Sequence, residues 1–125
     1  KKILELGCGD GRLWVDNISN VVEAVHIKKI TVTDISEGMV NDARRNIECA
    51  IREASFTLNS NISQKFEYGM ADCQSIPYED NTYDCIIANH VMFYCDNIDK
   101  AFGEIQRVLK PGGIFICATP YAGNK

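Results

Sequence analysis

The stretch LELGCGDGR, residues 4–12, decides how the rest of the chain is read. Leu4, Glu5 and Leu6 close the apolar run KILEL, residues 2–6, which stops at Gly7. A short apolar run bounded by glycines is the pattern of a strand buried in a sheet. Gly7, Gly9 and Gly11 then form a loop leading into a helical stretch. Strand, glycine loop and helix in that order make a nucleotide-binding turn, because glycine turns tightly and lets backbone approach a ligand. The question is which nucleotide. The dinucleotide fingerprint spaces its glycines G-x-G-x-x-G. Here the spacing is G-x-G-x-G, and Arg12 stands where that pattern has its third glycine. Glu5 lies two residues before the first glycine. A carboxylate there disfavours a pyrophosphate and favours a ligand carrying an ammonium or sulfonium cation.

Working outward, Leu13, Trp14, Ile18, Val21, Val22 and Val25 share one face at helical spacing. ITVT, residues 30–33, is β-branched throughout and predicts a second strand ending at Asp34. Ser36 is placed to cap the next helix, whose apolar side carries Met39, Ala43, Ile47, Ala50 and Ile51. Residues 55–64 are polar and without period, an exposed loop; KFEYG, residues 65–69, predicts a third strand. Residues 72–82 contain Pro77 and the turn-like EDNT, and YDCIIA, residues 83–88, predicts a fourth strand. Ile98, Ala101, Phe102, Ile105, Val108 and Leu109 form an amphipathic helix. Its expected stop is KPGG, residues 110–113, with Gly112 or Gly113 as left-handed cap. IFICAT, residues 114–119, predicts a fifth, buried strand. Strands alternating with helices imply a parallel sheet, and near-continuous apolar strands imply helices on both faces.

Asp34 ends the second strand, where a carboxylate can accept hydrogen bonds from both ribose hydroxyls. Asp72, just past the third strand, is placed for an adenine amino group. With Glu5, these set acids at three strand ends, which favours a cationic adenosine ligand without phosphates. Plainer readings stand beside this one. The glycines serve a turn, Asp34 terminates a strand and caps a helix, and Asp72 is a solvated loop acid.

The chain has 125 residues, 46% apolar and 24% charged, a composition that fits one soluble domain. A net charge of −4 and a pI near 5.1 give no electrostatic footprint for nucleic acid. The six cysteines include no C-x-x-C pair and there are two histidines, so spacing supports no metal site. Scattered cysteines suggest a reducing cytoplasm. No signal peptide appears, and no apolar run approaches the ~18 residues that span a membrane. The chain opens directly on a strand without an initiator methionine. The expectation is therefore that residues 1–125 are one cofactor-binding core within a longer protein.

In order along the chain, ILELGCGDGR, VTDISEGMV, GMADCQSIPYEDNTYDCIIANHVMFY and LKPGGIFICATP resemble successive motifs of the class I S-adenosylmethionine-dependent methyltransferases. The likeness is nearest the UbiE/methyltransferase-11 group and covers essentially the whole chain. It implies a Rossmann-like, doubly wound α/β fold. The mostly parallel sheet would have strand order 3-2-1-4-5 and helices on both faces, with strands 6 and 7 and the N-terminal helix absent. It implies S-adenosylmethionine as cofactor and S-adenosylhomocysteine as product. Residue by residue, it implies that Glu5 organises the methionine end through the loop. Gly7 and Gly9 would touch the methionyl part and ribose through backbone, with Cys8 in the same loop. Asp34 would hold the ribose hydroxyls and Ile35 one adenine face, with Ser36 and Met39 flanking the nucleoside. Asp72 would accept from the adenine amino group, the Cys73 backbone N–H would reach a ring nitrogen, and the Asn89 carbonyl would accept from the methionine ammonium. His90, after the fourth strand, is the candidate catalytic base.

NHVM, residues 89–92, does not resemble the Asn/Asp-Pro-Pro-Tyr motif of amide and base-amine N-methyltransferases, so a small-molecule O-, N- or C-acceptor is expected. Two other classes remain open on sequence: an aminopropyltransferase or NAD-linked enzyme, and a non-catalytic nucleoside-binding domain of the same fold.

Overall fold

The computed structural model describes residues 1–54, 62–89 and 95–117. Five strands, β1 (Lys2–Glu5), β2 (Lys29–Asp34), β3 (Phe66–Met70), β4 (Tyr83–Ile87) and β5 (Leu109–Ile116), form one sheet in the order β3-β2-β1-β4-β5. Every pairing is parallel. The helices are α1 (Arg12–Asp16), α2 (Ile18–Glu23), α3 (Glu37–Ala54) and α4 (Ile98–Val108). Because β1 lies between β2 and β4, the chain turns one way after β1 and the other way after β3. A crevice opens beyond the strand ends where this order reverses.

Strand side chains alternate between faces, and two cores result. Leu4 and Leu6 lie with Ile86, Ala88, Ala101, Ile105 and Val108, between the sheet and α4. On the other face Ile30, Val32 and Phe66 meet Trp14, Ile18 and Val21 of α1 and α2, and Ala43, Ile47 and Ile51 of α3. The two-sided burial inferred from the apolar strands is present.

Four local expectations are corrected. The run expected as one helix from Leu13 to Val25 is two short helices broken at Asn17, whose backbone is non-helical. The Asn17 amide donates to the Leu13 carbonyl at 2.7 Å, a side chain competing with backbone for the helical acceptor. Val25 falls past the break and is 84% exposed. On α3, Val40 rather than Met39 is buried, with Ala43, Ile47 and Ile51. KPGG does not cap α4. The helix ends at Val108, and the segment is already part of β5, where Gly112 takes φ 82° and the pairing with β4 shifts register between Tyr83 and Cys85. Such a bulge needs the left-handed region that glycine tolerates. Finally, β5 is not a buried strand. It is the sheet edge among the described residues, and Ile114 and Ile116 are 62% and 47% exposed.

Most of the loop expected over residues 55–64 lies outside the described residues. Its end, Ile62–Lys65, is a 3-10 turn with Ile62 buried. The EDNT turn is present, with Asn81 at φ 54°.

Candidate functional site

A cavity of about 480 Å³ sits beyond the carboxyl ends of the strands. Four strand ends contribute to it: Gly7 and Gly9 after β1, Asp34 at the end of β2 with Ile35 following, Asp72 and Cys73 after β3, and Asn89 after β4. The volume lies within the range of small-molecule sites, roughly 300–1,000 Å³. Ile35, 65% exposed, presents an apolar surface at its rim.

The glycine loop is tied to both neighbours of β1. Leu6 N–H donates to the Ile87 carbonyl on β4 and Cys8 N–H to the Thr33 carbonyl on β2, each at 2.8 Å. Gly7, Gly9 and Gly11 all have positive φ, but they do different things. A Cβ on Gly9 would meet nothing within 4 Å, and Gly9 lines the cavity. A Cβ on Gly11 would lie 3.1 Å from Ala43 and 3.2 Å from Ile47, so this glycine exists for the close approach of α3.

Asp34 joins the loop to the second wall. Its Oδ2 accepts from Gly9 N–H at 2.9 Å and its Oδ1 from Ser36 N–H at 3.0 Å. Asp34 thus serves the turn while lining the cavity, and each oxygen keeps lone-pair capacity beyond those bonds. Ser36 Oγ accepts from Met39 N–H at 3.2 Å and so holds the first turn of α3. Neither Ser36 nor Met39 lines the cavity.

Asp72 is set by its own turn. Its Oδ1 accepts from Gln74 N–H and its carbonyl from Ser75 N–H, both at 2.9 Å. The connection beyond it is fastened by one residue of α4. Arg107 donates to the carbonyls of Ile76 and Tyr78 at 2.8 and 2.9 Å, and to Asp80 at 2.8 Å. Glu104, beside it on α4, accepts from Ile76 N–H at 2.8 Å.

Glu5 and Cys8 are placed differently from the other sequence candidates: neither lines the cavity. Strand alternation turns Glu5 to the α1 side, where it is 3% exposed and accepts from the Trp14 indole N–H at 2.6 Å. Burial pushes its pKa up to about 7. The Trp14 bond opposes this and the nearby Asp34 charge adds to it. The electrostatic argument built on Glu5 as an anion facing the ligand does not hold in this geometry. Cys8 is buried in the same core, and its thiol is pushed up to about 12, by burial first and then by Glu5 and Asp34.

Gln74, Cys95 and Asp96 line the cavity and were not singled out by sequence. The described lining thus carries three carboxylates, Asp34, Asp72 and Asp96, and no lysine or arginine. Those acceptors suit hydroxyls, amino groups and cations, and the described lining offers a pyrophosphate no cationic side chain. His90, with Met92, Phe93 and Tyr94, lies outside the described residues. Among the described residues, no group of three or more His, Cys, Asp or Glu could hold a metal, and no helix is long and apolar enough to cross a membrane.

The sheet order and the strand-end cavity define a doubly wound α/β domain. Residues 4–117 match the family described as "Methyltransferase domain". The chain is 34% identical over 113 residues to a sterol 4-C-methyltransferase of Caenorhabditis elegans, covering 90% of this chain and 29% of that protein. It is 32% identical over 115 residues to a demethylmenaquinone methyltransferase of Symbiobacterium thermophilum, covering 92% and 41%. A solved S-adenosylmethionine-dependent methyltransferase from Mesorhizobium loti superposes with a TM-score of 0.67 at 22% identity, over 96% of this chain and 47% of that one, a likeness of fold. The chain therefore belongs to the class I S-adenosylmethionine-dependent methyltransferases, whose cofactor is S-adenosylmethionine. It spans less than half the length of the relatives it matches.

Proposed function

We propose that this domain binds S-adenosylmethionine in the strand-end cavity and serves methyl transfer to a small-molecule acceptor by in-line displacement. The observation that carries this is the lining itself: glycine backbone on one side, carboxylates on the other, and no cationic side chain among the described residues. When bound, the cofactor supplies an electrophilic methyl group on a sulfonium, so the protein's work is mainly alignment. Such alignment can supply ~7–11 kcal/mol of barrier reduction.

In this reading Asp34, fixed at both oxygens by Gly9 and Ser36, accepts from the ribose hydroxyls. Gly7 and Gly9 meet the methionyl part through backbone. Ile35 covers one adenine face, Asp72 accepts from the adenine amino group and the Cys73 N–H reaches a ring nitrogen. The Asn89 carbonyl accepts from the methionine ammonium. Glu5 acts on the loop indirectly, through Trp14, whose backbone N–H donates to the Gly11 carbonyl at 3.1 Å. Ser36 and Met39 position α3. His90 is the candidate base for an acceptor that must lose a proton. Relatives whose names specify sterol and demethylmenaquinone methylation support an acceptor of the small-molecule class. Six cysteines, all unbridged, support a reducing cytoplasm.

Calorimetry on the native protein tests the reading with S-adenosylhomocysteine, S-adenosylmethionine, decarboxylated S-adenosylmethionine and NAD. Binding of the first two and not NAD is expected. Tight NAD binding would overturn the assignment, and preference for the decarboxylated compound would favour aminopropyl transfer instead. Cofactor binding without turnover on any sterol, quinol or small phenol would favour a non-catalytic domain.

A further inference from the structure

Cys73 and Cys95 come from separate parts of the chain and meet at the cavity wall. Cys73 follows the end of β3, Cys95 precedes α4, and both line the cavity. Their Sγ atoms are 2.7 Å apart. That is inside the ~3.5–4.0 Å of ordinary non-bonded carbon contact and somewhat beyond the ~2.05 Å of a disulfide bond. The backbone beside the pair is tied as well: Gln74 Oε1 accepts from Asn97 N–H at 2.9 Å. The two sulfurs are thus held facing each other by a neighbouring bond that does not involve them, and joining them requires a shift of under about an ångström.

We infer that Cys73 and Cys95 are a redox-modification site, oxidised by a small-molecule disulfide such as glutathione disulfide to a reversible bond across the cavity wall. Cys95 gives up its proton to water and attacks one sulfur of the small disulfide RSSR. A Cys95–S–S–R bond forms and one RS⁻ leaves, to be protonated. Cys73 then gives up its proton to water and attacks the Cys95 sulfur. The Cys73–Cys95 bond forms and the second RS⁻ leaves, to be protonated. Two protein thiols are oxidised and one RSSR is reduced to two RSH.

The order follows from position. Cys95 is partly exposed, whereas Cys73 is 6% exposed, and burial, then the Cys95 neighbour, push its thiol up to about 12. Attack by the partly exposed thiol comes first and resolution by the buried one is slow. In a reducing compartment such a bond is transient and sensing rather than structural. It pins residues 95–97 to the turn at 72–75, and the inference about the bond does not depend on what the cavity holds.

The test is thiol trapping of the native protein in graded glutathione and glutathione disulfide, followed by non-reducing peptide mapping. The expected result is a peptide joining Cys73 to Cys95, with the loss of two alkylatable thiols and full reversal by dithiothreitol. Cys73→Ser should instead accumulate glutathione on Cys95, and Cys49→Ser, at an exposed thiol outside this cavity, should leave the linkage intact. Absence of the linked peptide at every ratio, or wild-type Cys95 halting at the glutathione adduct, would overturn the inference.

Discussion

The indole N–H of Trp14 donates to Glu5 Oε1 at 2.6 Å, and this bond seals the acid of the glycine motif beneath the loop, on the α1 face of the sheet. Among the described residues, this is the side-chain bond that offsets the loss of water around a carboxyl that is 3% exposed.

That relationship makes stability pH-dependent. The folded-state pKa of Glu5 lies near 7, above the ordinary value of 4.5. Its contribution is therefore fully present below the ordinary value and lost as pH rises through 7. Between pH 5 and 8 the wild type should lose on the order of 2 kcal/mol from this group. Glu5→Gln keeps an acceptor for Trp14 and carries no charge, so it should escape that loss. Urea melts of both proteins across the range check it; parallel pH profiles would refute it.

Gly9 and Gly11 should separate binding from folding. Gly11→Ala adds a Cβ 3.1 Å from Ala43 at φ 84°, and should destabilise by roughly 2–4 kcal/mol. Gly9→Ala adds one into open space at φ 57°, and should cost only about 1–2 kcal/mol. It should nonetheless weaken S-adenosylhomocysteine more than Gly11→Ala does. Thermal melts and calorimetry on the pair decide this, and equal stability losses would count against the division of labour.

Asp34→Ala should weaken S-adenosylhomocysteine by about tenfold or more, the loss of roughly one charge-assisted hydrogen bond. Without ligand it should also lower stability by about 1 kcal/mol, because the Gly9 and Ser36 amides lose their shared acceptor. Unchanged affinity in calorimetry would remove Asp34 from the proposed ribose site.

Arg107→Lys keeps the charge but not the planar fork that spans two carbonyls and the carboxylates of Asp80 and Glu104. It should lower the melting temperature and weaken S-adenosylhomocysteine several-fold, although Arg107 does not line the cavity. A variant with wild-type affinity and lowered stability would show that Asp72 keeps its place without this anchor.

The strand order, the two-sided core and the seats of Asp34, Asp72 and Asn89 were legible because each depends on a local pattern ending at a glycine, an acid or an asparagine. Glu5 was legible in principle and misread. Period-two alternation puts it opposite Leu4 and Leu6, which face α4, so it had to face Trp14. The break at Asn17 turns on one side-chain bond inside an otherwise helical pattern, which periodicity does not register. KPGG carries the same residues whether it caps a helix or bulges a strand, and pairing with β4 decides between them. Gln74, Cys95 and Asp96 were invisible because the cavity gathers them only once α4 has docked.

The fastening of residues 76–80 by Arg107 also has an evolutionary side. Within that connection the guanidinium reads main-chain oxygens of Ile76 and Tyr78, which every amino acid supplies, and the side chain of Asp80, while Glu104 on its own helix braces it. Substitutions along this connection can therefore accumulate while its path persists. Among homologous chains the wall bearing Asp72 should keep its shape while its letters drift, with constraint concentrated on a helix residue that never meets the ligand.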